Sequence, residues 1–139
     1  MQLQMTTDYS MRIVAYMLTN DAMEKDKLVK AKEMAEILGI DYQYSMKVIN
    51  KLKGAGIIKS VQGCSGGYYL SNSVFGLTFY DIISLMEGEI YLLKCLEGEK
   101  CTREKKMTCP VQSEFNKLQE TFVSKLKEIK ISDVCNDGF

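Results

Sequence analysis

The spacing of apolar residues along the chain changes period twice, and each change predicts an element boundary. After Thr7 and Asp8, the residues Met11, Val14, Ala15 and Leu18 recur at helical spacing and predict a first helix. The charged stretch 20–30 reads as a loop. Met34, Ala35 and Leu38 share one face of a short helix over 31–38, and Gly39 is placed to end it. Asp41 suits the N-cap of a second helix over 42–52, which Gly54-Ala55-Gly56 stops. The pattern then turns to strands: 57–61 and 68–71 read as a pair, and the glycine-rich 62–67 between them must turn. Thr78 and Asp81 have capping-box spacing, so a short helix runs to about Glu87 and stops at Gly88. The last element runs from Pro110 to about Ile131. Its apolar residues Phe115, Leu118, Phe122, Leu126 and Ile129 form one stripe on a helix otherwise rich in Lys and Glu.

Helix, glycine turn, helix and hairpin in this order predict a winged helix-turn-helix in a mainly α chain with one small β-hairpin. A small α+β domain with no nucleic-acid role fits the same pattern. The chain divides into a winged helix-turn-helix (1–88), a loop holding three cysteines (89–109), a long C-terminal helix (110–131) and a tail (132–139), all within one domain. The stripe on the long helix needs cover, from its own domain or from a second copy. A homodimer is the better fit, because two-fold symmetry also lets a reader of this type span the half-sites of a palindromic double-stranded operator.

Composition bears on this reading in three places. Formal net charge is zero, with 18 Lys+Arg against 18 Asp+Glu, which argues against a nucleic-acid binder. Between residues 40 and 64, however, Lys47, Lys51, Lys53 and Lys59 face Asp41 alone, and local charge is what meets phosphate. The absence of His removes imidazole triads and histidine-bearing zinc sites. No acid–base pair or phosphate-cradling glycine loop is visible, so an enzyme is not predicted. The first eight residues lack a basic segment followed by an apolar one, and no apolar stretch approaches the roughly 18 residues that span a bilayer. A cytoplasmic protein with no membrane partner is expected, and its five cysteines then read as metal-binding, redox-active or buried.

The second helix of such a motif places its N-terminal residues nearest base edges. Gln43 suits a bidentate pair with adenine, and Lys47 suits guanine acceptors or phosphate. Tyr42 and Tyr44 suit phosphate or a thymine methyl, although Tyr42 also suits covering the turn. Lys51, Lys53 and Lys59 read as phosphate anchors or as a solvated basic face. Gly63, Gly66 and Gly67 in the wing allow close approach to a sugar-phosphate chain.

Five residues separate Cys95 from Cys101 and seven separate Cys101 from Cys109, spacings typical of neither ferredoxins nor zinc knuckles. Pro110 favours the first helical position and so sets Cys109 at a helix N-terminus, where the dipole favours a thiolate. Lys100, Arg103, Lys105 and Lys106 add positive charge around the loop. A thiolate cluster joined to a DNA reader suggests a sensor of metal or redox state. Cys64 at the wing tip is either a redox handle or an incidental small residue. Cys135 is a poor ligand candidate that can join an oxidative disulfide.

Several stretches together resemble the family of small bacterial winged-helix regulators that includes IscR, NsrR and CymR. They are Thr7-Asp8-Tyr9-Ser10-Met11-Arg12, Ala35-Glu36-Ile37-Leu38-Gly39-Ile40, the run from Lys51 to Ser60, the wing from Gly63 to Leu70, Asp81-Ile82-Ile83, Met86-Glu87-Gly88 and the loop cysteines. The resemblance spans nearly the whole chain and implies a homodimeric, DNA-binding transcription regulator, repressors among its relatives. It further implies Cys95, Cys101 and Cys109 as ligands of an iron–sulfur cluster, 2Fe-2S or 4Fe-4S. It offers Asp8 as a fourth ligand from either subunit, against the plainer reading of Asp8 as an N-cap. Where some relatives carry a histidine ligand this chain has Gln112, and where many carry a wing arginine it has Gln62. The cysteine-metabolism branch implies an alternative: a metal-free regulator controlled by thiol oxidation or by a partner enzyme of cysteine biosynthesis. A third class, an iron–sulfur enzyme or electron carrier using the wing as scaffold, finds no substrate chemistry in the sequence.

Overall fold

The structure, a computed structural model, describes residues 2–98 and 109–135. Helix α1 spans Met5–Thr19, and so begins ahead of the predicted start. Its N-cap is Gln4, whose own side chain supplies no cap. The cap comes from the far end of the winged domain. One oxygen of Glu87 accepts both the Gln4 backbone N–H, at 2.8 Å, and the Thr7 hydroxyl, at 2.6 Å. Asp8 therefore sits inside the first turn of α1, and the N-cap reading of Asp8 is corrected.

Helices α2 (Ala31–Leu38) and α3 (Tyr42–Gly54) meet at Gly39, which adopts φ +66° and ends α2 as a left-handed C-cap. Asp41 caps α3 by accepting the Tyr44 N–H at 3.0 Å. Strands β1 (Ile58–Val61) and β2 (Gly67–Leu70) pair antiparallel, with Ile58 opposite Leu70 and Val61 opposite Gly67. Helix α4 (Phe79–Glu87) opens with the predicted capping box, Thr78 and Asp81 each bonding the other's backbone. The core forms where α1, α2, α3, the hairpin and α4 converge. Ile13, Met17, Met34, Ile49, Leu70 and Ile82 are all fully buried there. Burying one such aliphatic side chain is worth about 1.5–3 kcal/mol.

Two segments differ from expectation. The predicted loop over 20–30 contributes to the wing: Val29 and Tyr68 exchange two backbone hydrogen bonds, at 2.9 and 2.8 Å. The long C-terminal helix, α5 (Pro110–Glu128), stops earlier than predicted. Ile129 turns extended because its carbonyl accepts the Phe79 N–H at 2.9 Å, while the Ile131 N–H donates to Leu77 at 3.0 Å. Residues Ile131–Val134 then form a separate short helix, α6, with Ile131 buried. Of the predicted stripe, Leu126 is buried, Phe115, Phe122 and Ile129 are half-buried, and Leu118 remains 56% exposed.

Candidate nucleic-acid interface and cysteine loop

The start of α3 presents Tyr42, Gln43 and Lys47 to solvent. Tyr44 lies apart from them, half-buried edge-on against Tyr9 of α1, with ring centroids 5.3 Å apart and planes at 88°. The ammonium of Lys47 lies 5.9 Å from the Tyr44 ring, and the Arg12 guanidinium 5.8 Å from the Tyr9 ring. Arg12 also holds Asp8 bidentately, with its Nε donating at 3.1 Å and Nη2 at 2.7 Å. The face of α1 bearing Asp8 is thus tied, through two aromatic rings, to the outer face of α3.

The lysines of α3 and the wing do different things. Lys53 lines a cleft beside the wing together with Tyr42, Gly63, Gly66 and Gly67. Lys59 is exposed on β1 outside that cleft. Lys51 instead donates to the Met86 carbonyl at 3.2 Å, tying α3 to the last turn of α4. Gly66 is required where it stands: a Cβ there would lie 2.1 Å from the Val61 carbonyl. At Gly67 it would meet the Val29 carbonyl at 2.9 Å, because the Val29–Tyr68 bridge draws that backbone close.

The cysteine loop leaves α4 at Gly88, directly after the turn held by Glu87 and Lys51. Its first part lies along α5. The Leu92 N–H donates to the Gln119 side chain at 2.9 Å, and the Gln112 amide donates to the Cys95 carbonyl at 3.4 Å. The Tyr91 hydroxyl donates to Glu89, which holds the phenol in its neutral form and raises its pKa. Cys95 is half-buried in a single 3-10 turn, Lys94–Leu96, that packs on α5. Cys109 is the N-cap of α5, with Pro110 at the first helical position as predicted. Cys101 and its basic neighbours Lys100, Arg103, Lys105 and Lys106 lie outside the described residues. Among the described residues no three Cys, Asp or Glu side chains are grouped as a metal site. Cys64 is exposed at the wing tip. Cys135 is half-buried and its thiol donates to the Ile131 carbonyl at 3.1 Å. Burial pushes that thiol's pKa up.

Sequence reasoning missed Lys30 and Lys32, which line the wing cleft although they precede the motif's second helix by ten residues or more. It named Glu87 and Gln112 but missed their roles, which depend on distant partners.

Two helices, a hairpin and an exposed second-helix N-terminus define the class: a winged helix-turn-helix. A model of the Rrf2 family, described as an iron-dependent transcriptional regulator, matches residues 3–137, and the chain belongs to that family. It is similar to the HTH-type transcriptional regulator NsrR of Bacillus licheniformis, 27% identical over 134 residues that cover 96% of this chain and 92% of the relative. A putative HTH-type transcriptional regulator of Aquifex aeolicus is 29% identical over 132 residues, covering 94% and 89%. Among solved structures, IscR of T. potens superposes with TM-score 0.74 at 22% identity, covering 99% of this chain and 88% of that one. CymR of B. subtilis, a global cysteine regulator, superposes with TM-score 0.75 at 18% identity, covering 100% and 99%. These superpositions bear out the winged-helix fold with its long C-terminal helix. The chain is a transcription regulator of a DNA-binding family, and no helix among the described residues is long and apolar enough to cross a membrane.

Proposed function

We propose that this chain acts as a homodimer whose affinity for an operator is set by an iron–sulfur cluster on Cys95, Cys101 and Cys109. The observation that carries the reading is the convergence of both ends of the loop on one helix. Gln112 in the first turns of α5 holds the Cys95 backbone, and Cys109 caps that same helix. The Cys95 backbone and Cys109 are thereby both held near the start of α5, with Cys101 between them in the chain. The donor set fits the group, since soft thiolates are the ligands such clusters take. When bound, the cluster supplies a redox- and nitric-oxide-sensitive centre. The chain's own residues hold the loop, at Gln112 and Gln119, and anchor its upstream end, at Glu87 and Lys51. Asp8 can serve as a fourth ligand only after leaving Arg12. DNA is read by Gln43 and Lys47, with Tyr42, Lys53, Lys59 and the wing glycines on the backbone.

Anaerobic purification with iron and sulfide assays, a visible spectrum, and binding to DNA upstream of the chain's own gene test this. Stoichiometric iron and sulfide, lost in a Cys95→Ser/Cys101→Ser/Cys109→Ser variant together with the redox response of DNA binding, are expected. A second reading rests on the full-length superposition with CymR: a metal-free regulator answering to thiol oxidation or to a partner enzyme. Colourless, iron-free protein that still binds the operator would replace the first reading with the second.

A further inference from the structure

Two successive residues at the root of the cysteine loop hold α3 and α1. The carbonyl of Met86 accepts the Lys51 ammonium of α3 at 3.2 Å. The carboxylate of Glu87 accepts the Gln4 N–H and the Thr7 hydroxyl at the head of α1. Gly88 follows at φ +85°, and the loop departs from it. The remaining side of the circuit is aromatic. Tyr9, two residues past Thr7, meets Tyr44 of α3, and the Lys47 ammonium lies 5.9 Å from that ring. The end of α4, α1 and α3 thus form a closed ring of contacts, with the loop attached at one point of it.

The bond of Lys51 depends on the last turn of α4 being wound. Met86 is the last residue but one of α4, so its carbonyl has no partner within the helix. The partial negative charge at a helix C-terminus adds to the attraction for an ammonium. Both contributions vanish when that turn opens. The same turn carries an unmet demand, because the Ser84 hydroxyl is buried without a hydrogen-bond partner among the described residues. Rearranging this turn therefore forfeits less than opening the start of the helix, where Thr78 and Asp81 satisfy each other. Lys51 stands one turn past Lys47 and two past Gln43, so a pull on its ammonium acts along α3 on the residues proposed to read bases.

We infer that Lys51 is a positioning residue: through the Met86 carbonyl it sets the reading face of α3 according to the state of the cysteine loop. The inference rests on the cysteine control proposed above and names the residue that carries that control to the reader. Lys51 acts by its bond to α4 and not by a bond to phosphate.

The test measures affinity for a labelled duplex from upstream of the chain's own gene. It compares the anaerobically purified parent with its Cys95→Ser/Cys101→Ser/Cys109→Ser variant, each also carrying Lys51→Met or Lys51→Arg. The ratio of the two affinities, roughly 5–150-fold in either direction for coupled sites, is expected to fall to near one with Lys51→Met. Lys51→Arg keeps a donor for the carbonyl and is expected to retain the ratio. The slope of log affinity against log salt is expected to stay the same in Lys51→Met, whereas a lost phosphate contact lowers it by about 0.9 per protomer. Amide hydrogen exchange over the last turn of α3 tests the tie without altering Lys51, and its protection is expected to differ between the parent and the triple serine variant. A ratio that survives Lys51→Met would overturn the inference, and so would equal protection in the two cysteine states. A slope lowered by one phosphate contact would overturn it in favour of a direct anchor on DNA. Equal affinity of the parent and the triple serine variant for the duplex would remove the cysteine control and this inference with it, leaving the DNA reader standing.

Discussion

Cys64 and Cys135 carry the same thiol in opposite settings. The first is exposed on the wing, while the second is half-buried, bonded to the Ile131 carbonyl and raised in pKa by burial. A raised pKa leaves less thiolate at any pH below it, and thiolate is the reactive form. Alkylation at neutral pH, followed by peptide mass mapping, should therefore modify Cys64 well before Cys135, with the gap narrowing as pH rises. Equal rates across the pH range would contradict the docking of α6. At this scale the sequence identified residue types well and their circumstances poorly. Gly66 was legible as a turn glycine, but the Val61 carbonyl that forbids a side chain there was not. Lys51 had the charge of a phosphate anchor, yet its ammonium bonds the end of α4.

Between elements, the start of α1 is determined by a residue of α4. Replacing Glu87 with Ala takes the acceptor from the Thr7 hydroxyl, which is 1% exposed, and from the Gln4 N–H. A loss of about 1–3 kcal/mol is expected in urea unfolding, the usual cost of leaving such a group unpaired. An unchanged midpoint would mean that water replaces the cap. Capping signals that act over three residues were readable: Asp41 to Tyr44, Thr78 to Asp81, and Gly39 after Leu38. Hydrogen bonds across the chain were not, because periodicity reports only local geometry. The Glu87 cap, the Val29–Tyr68 bridge and the Phe79–Ile129 bond that ends α5 all belong to this second kind. The same limit hid Lys30 and Lys32, which reach the wing only through that bridge.

Over the whole molecule, α5 leaves an apolar face incompletely covered. Val111 is 59% exposed and Leu118 56%, with Phe115 and Phe122 half-buried beside them. The stripe was plain in the sequence, whereas its incomplete cover needed the packed domain. If a second copy covers it, Leu118→Glu sediments at the monomer mass and loses operator affinity in parallel, because a single half-site binds weakly. A parent that already sediments as a monomer would contradict the homodimer.

Helix α5 is fastened unevenly, and this has a mechanical consequence. Its C-terminal end is fixed by buried Leu126 and by the backbone bonds of Ile129 and Ile131 to the start of α4. Its other half leans on the cysteine loop through Gln112 and Gln119. The helix is thus a lever of 19 residues, about 28 Å long, propped near its N-terminal tip by the segment that carries Cys95. A tilt of about 5° at the fixed end displaces the Cys109 end by roughly 2.5 Å, given a rise of about 1.5 Å per residue. Gln112 and Gln119 stand beside the exposed Val111 and Leu118 along the helix, so a shift of the prop is passed to the exposed apolar face almost one to one.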